Sequence, residues 1–140
     1  MRRLTRRDFI GEYGAVVVGS AVRNDKWLPE AIAFVVGHRN ALKGMPAAYF
    51  LSCLTLSRSD EKTRQKAMTF LNPVREAIPE VEPVDVGLFA GVLDYSRTSF
   101  PMRVIMRAKM KQKGVEEGDY RNWDTIRTWS SGLQPKLNTG

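Results

Sequence analysis

Residues Gly14 to Val22 read G-A-V-V-V-G-S-A-V. An apolar, β-branched run without polar alternation is the pattern of a strand covered on both faces, as strands of a parallel sheet are. Parallel neighbours cannot be joined by a tight turn and need a crossover, usually a helix. This one segment therefore commits the rest of the chain to alternate strands with helices. The sequence supplies that alternation. The strand runs into Arg23-Asn24-Asp25-Lys26-Trp27, read as a loop, and a helix opens at Pro29, where a missing N–H is harmless. Leu28, Ile32, Val35, Val36, Arg39 and Leu42 fall near one face, predicting a single helix to Lys43, with Gly44 as its stop.

A second buried strand is expected over Pro46 to Leu56, running into Ser57-Arg58-Ser59-Asp60. Ser59 or Asp60 can cap the next helix. Ala67, Phe70, Leu71, Val74 and Ile78 keep helical spacing, and Pro73 should kink or split that helix. Val84 to Val92 reads as a third strand. Leu93 to Arg121 is irregular and basic, and Asn122 then caps a short helix carrying Trp123, Ile126, Arg127 and Trp129. The tail from Gly132 is read as frayed. Strands and helices in this order predict an α/β fold with a parallel sheet between helical layers. A length of 140 residues suits one domain. No apolar run approaches the roughly 20 residues that span a bilayer.

Chemistry-bearing motifs are few. Thr5-Arg6-Arg7-Asp8-Phe9-Ile10 is similar to a twin-arginine export motif. Glu12 interrupts it, and the Val-rich run after it suits a core strand. There is no G-x-G-x-x-G and no G-x-x-x-x-G-K-[ST], so the common dinucleotide and triphosphate loops are not indicated. His38, the single histidine, lacks any partner that base catalysis would need, and reads as a helix-face residue. Cys53, the single cysteine, allows no internal disulfide and reads as a buried strand residue. No catalytic residue and no metal site is assigned.

The net charge of +7 allows an anionic partner. Much of it lies in F-P-M-R-V-I-M-R-A-K-M-K-Q-K, Phe100 to Lys113, within a stretch from Tyr95 to Val115 that has no acidic residue. As a helix it would put Met102, Ile105, Met106 and Met110 on one side, and Arg103, Arg107, Lys111 and Lys113 largely elsewhere. Such a helix reads either as a membrane-surface or partner-binding element, or as a solvated helix whose methionines pack on the domain. Nucleic acid is not expected, because only Phe100 and Tyr95 could stack on bases.

Four passages together resemble one family. Tyr13–Arg23 (Y-G-A-V-V-V-G-S-A-V-R) is similar to the third strand and flavin loop of the menaquinone-dependent protoporphyrinogen oxidases, which have a flavodoxin-like fold. Lys26–Val35 (K-W-L-P-E-A-I-A-F-V) is similar to their next helix. Phe89–Tyr95 (F-A-G-V-L-D-Y), with the basic residues that follow, resembles their fifth strand and insertion, here 94–121. Asn122–Ile126 (N-W-D-T-I) resembles the start of their last helix.

The resemblance implies a single, partial flavodoxin-like domain over 1–140, a three-layer sandwich holding strands three to five. The N-terminal strand, phosphate-binding loop and helix would be absent, roughly 30 or more residues. It implies FMN held by the loops after the first two strands, at Ser20, Ala21, Val22, Arg23, Asn24, Trp27, Ser52, Cys53, Leu54 and Thr55. Trp27 would then either cover part of the ring or serve as core. It implies oxidation of protoporphyrinogen to protoporphyrin, a heme-biosynthesis step, with electrons passing through flavin to menaquinone. Arg97, Arg103, Arg107, Lys109, Lys111 and Lys113 would contact the porphyrin or a membrane. The expected place is the cytoplasm, peripheral at the membrane face. A second copy or a completing chain would cover the open edge at Val16-Val17-Val18. The alternative is a flavodoxin-like electron carrier, or a non-catalytic fragment that binds a partner.

Overall fold

The computed structural model describes residues 13–138 apart from 59, 97 and 113. The basic start of the chain, with the twin-arginine-like motif, lies outside them. Strand β1 (Val16–Arg23) pairs in parallel with β3 (Ala47–Cys53), and β3 in parallel with β4 (Val86–Ala90). The expected alternation and parallel pairing therefore hold. The short strand β2 (Lys26–Trp27) is antiparallel and sits on the far side of β1, so the sheet order is β2-β1-β3-β4.

Alternation along the strands divides the two faces. Val18, Tyr49 and Leu51 point to one face and meet Val35 of α1 (Pro29–Gly37), Leu42 of α2 (Arg39–Lys43), Ala67 of α3 (Glu61–Thr69) and Val74 of α4 (Asn72–Ala77), with Leu71 and Ile78 flanking α4. This is the main core, and each fully buried aliphatic side chain contributes about 1.5–3 kcal/mol. Phe50 and Phe89 point to the opposite face, beneath α6 (Trp123–Leu137). The result is the three-layer α/β sandwich.

Several elements differ from the sequence reading. The single helix over Pro29–Lys43 is two, broken at His38, which is non-helical at φ −114° and whose Nδ1 lies 2.8 Å from the Phe34 carbonyl oxygen. Gly37, a poor helix former, precedes the break. The second strand stops at Cys53, and Leu54–Ser57 form a 3-10 turn. Asp60 caps α3 as expected, its Oδ1 accepting the Thr63 N–H at 2.8 Å. Pro73 does split the following helical stretch, standing in the first turn of α4.

The basic stretch contains a full helix, α5 (Phe100–Gln112). It is closed off by a two-stranded ladder of β5 (Val92–Leu93) and β6 (Gly118–Asp119). The last helix is not short and its tail is not frayed. α6 runs through Gly132 and Pro135 to Leu137, because Leu133 is buried on the sheet and the Lys136 ammonium donates to Asp85 at 2.7 Å.

Candidate functional site

The parallel registers align the carboxyl ends of the three long strands. Ala21 stands opposite Ser52, and Ser52 opposite Phe89. Open α/β sheets bind ligands beyond this end. The two segments singled out in the sequence, 20–27 and 52–55, are brought together here. Asp25 is close enough for its charge to act on the Cys53 thiol.

The first segment is not an open loop. β1 continues to Arg23 and turns back through Asn24 and Asp25, with φ of 54° and 60°, into β2. Two positive φ angles in a two-residue connection are the signature of a type I′ hairpin, and Asn and Asp tolerate that region better than most residues. The register puts Trp27 opposite Val22, and its indole is buried, edge-to-face on Tyr49 at 5.5 Å between centroids. Trp27 therefore stands in the core, the second of the two readings open to it. Ser20 is buried as well. Its hydroxyl donates to the Ala21 carbonyl oxygen at 2.7 Å and accepts the Leu28 N–H at 3.0 Å, tying the strand to the start of α1.

Burial pushes the Cys53 thiol up, against the opposing pull of the Leu56 and Thr55 N–H groups and the Thr55 hydroxyl. A buried, protonated thiol is a poor nucleophile. Those same N–H groups are directed at sulfur. Ala21, Arg23 and Asn24 remain exposed, while Val22, Ser52, Leu54 and Thr55 are half-buried. Gly91 passes so near Ser52 that a Cβ there would stand 3.1 Å from its hydroxyl oxygen.

The insertion returns to the same end of the sheet. The Tyr120 N–H donates to the Gly91 carbonyl oxygen at 3.0 Å, and the Tyr95 N–H donates to Glu117 at 3.0 Å. Gly114, at φ 71°, lies against the Arg58 guanidinium from the turn after β3. The six insertion cations are not equivalent. Arg103 is half-buried and donates to the Thr98 carbonyl oxygen at 3.2 Å, and Arg107 lies over the Tyr95 ring at 5.2 Å. Lys109 and Lys111 are exposed; Arg97 and Lys113 lie outside the described residues. The expected grouping of Ile105 with the methionines also fails. Met106 and Met110 turn inward, and Ile105 faces solvent.

Sequence reasoning missed a second concavity. α6 stands over β4 and part of β3, leaving a groove of about 690 Å³. Val17, Phe50, Ser52 and Phe89 form its floor, and Trp129 and Leu133 its wall. Phe50, Phe89 and Trp129 form an aromatic cluster with centroids 5.5–6.2 Å apart. The signal was available: strand alternation puts Phe50 and Phe89 on the face away from Tyr49 and Leu51. Ser52 belongs to both the groove and the loop row.

For an FMN group, these residues fit the ring and not the phosphate. The groove and the loop row present apolar and aromatic surface with a few polar atoms, as ligand pockets do. A phosphate is usually held at an open helix N-terminus. Here the start of α1 is tied to the Ser20 hydroxyl, α3 is capped by Asp60, and α6 is capped by Asn122, which accepts the Thr125 N–H at 3.1 Å. Among the described residues, no group of His, Cys, Asp and Glu side chains gathers as a metal cage.

Residues 3–119 match the family model described as the flavodoxin domain. The chain is similar to protoporphyrinogen IX dehydrogenase (quinone) of Leishmania major, with 29% identity over 147 aligned positions. The alignment covers 93% of this chain and 62% of that relative, so the chain spans somewhat under two thirds of the relative's length. No solved structure matches it.

Proposed function

The chain belongs to the flavodoxin domain family, and from that premise we propose that it is an FMN-dependent oxidoreductase domain of the protoporphyrinogen oxidase type. The reaction would be oxidation of a porphyrinogen, with electrons leaving to a quinone. The name of the Leishmania relative supports that substrate pair. The observation that carries the reading is the convergence of both candidate loops and the returning insertion on one end of the sheet. Bound flavin supplies the redox chemistry, and the protein positions and tunes it.

In this reading the exposed turn at Ala21–Asn24 and the half-buried Ser52, Leu54 and Thr55 face the ring edge. Ser20, Trp27 and Cys53 act behind them, fixing the strand ends. Lys109 and Lys111 are free to attract the carboxylates of a porphyrin, whereas Arg103 and Arg107 are engaged by Thr98 and Tyr95 in the segment leading into α5. No side chain is assigned a proton-transfer step. The starts of α1, α3 and α6, already occupied, would not hold the phosphate.

A titration of the purified chain with FMN, read by flavin fluorescence, tests the proposal. Saturable binding with quenching is expected, weaker for Ser52→Trp, which fills the shared position. Absence of binding in the chain alone and in its oligomers would overturn flavin dependence. A second reading, binding of a completing partner chain, is favoured by a different observation. The outer edge of Val16–Ala21 and the groove beside it are both uncovered among the described residues.

A further inference from the structure

The groove under α6 has an aromatic floor because two glycines let the rings down onto the sheet. The Phe50 ring folds over Gly19, where a Cβ would collide with it. A Cβ at Gly87 would stand 2.9 Å from the rings of both Phe89 and Trp129. The three rings meet at interplanar angles of 50–79°. All three are half-buried, and Val17 beside them is 41% exposed, so the groove stays open along the outer side of β1.

The chemistry of the lining selects an occupant. Aromatic rings at such angles extend by adding a further flat ring at an edge or an offset face. A groove of about 690 Å³ has the size of a small-molecule pocket. Among the described residues the one charged side chain in its lining is Arg121, and Asp119 already holds it through hydrogen bonds of 2.9 and 2.6 Å. A ligand carboxylate, such as a porphyrin carries, finds no open cation there. Ser52, where the groove meets the loop row, supplies a hydroxyl that makes no hydrogen bond among the described residues. These groups complement a neutral, flat ring with an accepting carbonyl. The quinone of the proposed reaction has that chemistry. We infer that the groove is a separate quinone site, with the ring against Phe50, Phe89 and Trp129 and one carbonyl accepting from the Ser52 hydroxyl. The ligand class rests on the proposed reaction; the site does not depend on flavin.

Duroquinone, fully methylated and so unable to alkylate the Cys53 thiol, serves as the probe. Trp123→Phe, at an exposed position, leaves Trp129 to report on the groove and Trp27 in the opposite core. In that background duroquinone should quench emission saturably, and the anion anthraquinone sulfonate far less. Ser130→Phe, on the exposed wall of the groove, should weaken duroquinone roughly tenfold or more. Its circular dichroism spectrum and FMN affinity should not change. Saturating FMN should leave the quenching in place. Unsaturable quenching, equal in Ser130→Phe, would be collision only and overturns the inference. So does displacement by FMN, which would put flavin in the groove. Quenching that appears only when an oligomer dissociates would put a second copy there, and also overturns it. Equal affinity for the sulfonate would overturn the assigned neutral class. FMN binding without duroquinone binding would remove the quinone site and leave the flavin reading intact; duroquinone binding without FMN binding would do the reverse.

Discussion

At the scale of single residues, the decisive facts are burial and the partners already taken. Trp27 is 1% exposed, and among the described residues its indole N–H has no hydrogen-bond partner. Trp27→Phe therefore forfeits no hydrogen bond but leaves a small cavity, and should cost about 1–2 kcal/mol. Trp27→Ala should cost about 3–5 kcal/mol. Chemical denaturation checks both, and flavin affinity in the Phe variant should stay unchanged if the indole is core. A strongly reduced affinity in a stably folded Phe variant would restore its role as a ring cover. No periodicity could have separated these roles, since the hairpin register, not the residue type, turns Trp27 inward.

Asp119 gives the clearest pH signature. The Arg121 side chain, donating at 2.9 and 2.6 Å, and the Arg121 N–H, at 3.0 Å, hold the Asp119 carboxyl down to about 2 from its ordinary 3.8. A depressed folded value means a stabilising contribution that is present above about pH 4 and lost as pH falls toward 2. Carboxyl-resolved NMR should give a midpoint near 2. In Arg121→Gln the midpoint should return toward the ordinary value, and stability should vary less across that window.

Elements were legible wherever a local signal sufficed. Val-rich strands, Pro29 at a helix start, the Asp60 and Asn122 caps and the break near Pro73 were all visible in the sequence, and all hold. What failed depended on tertiary partners. α6 extends past Gly132 because Leu133 finds the sheet and Lys136 finds Asp85, neither of which is visible within the helix's own sequence. The Asn24-Asp25 turn was hidden because Asn-Asp is a weaker hairpin signal than Asn-Gly. That weakness makes a prediction. Asp25 pays a left-handed backbone cost at φ 60° that glycine does not. Asp25→Gly should leave the hairpin in place and raise stability by a few tenths of a kcal/mol, up to about 1. A thermal melt checks it. A fall in melting temperature would mean that the carboxylate has a structural partner at the turn.

For the whole molecule, the sheet's two sides are unequal, and β1 records the inequality residue by residue. The Val16 N–H donates to the Pro46 carbonyl oxygen at 3.1 Å, so Val16 faces the β3 side. Strand alternation then turns Val18 and Ser20 toward β3, and Val17 and Gly19 toward the outer edge. β2 reaches only Val22 and Arg23, so among the described residues no strand pairs with Val17 or Gly19. Edges of this kind invite pairing with another chain. Amide hydrogen exchange on the isolated chain should therefore alternate along a single strand. Val18 and Ser20 should be protected near the global limit, and Val17 and Gly19 only weakly. A completing chain or second copy that adds a strand must remove the alternation by protecting Val17 and Gly19. One that only fills the groove would shield Val17 and Phe50 side chains and leave the alternation intact. Strong protection of all four amides in a verified monomer would instead mean that a segment of this same chain already lies along β1, and the edge would no longer be a place for partners.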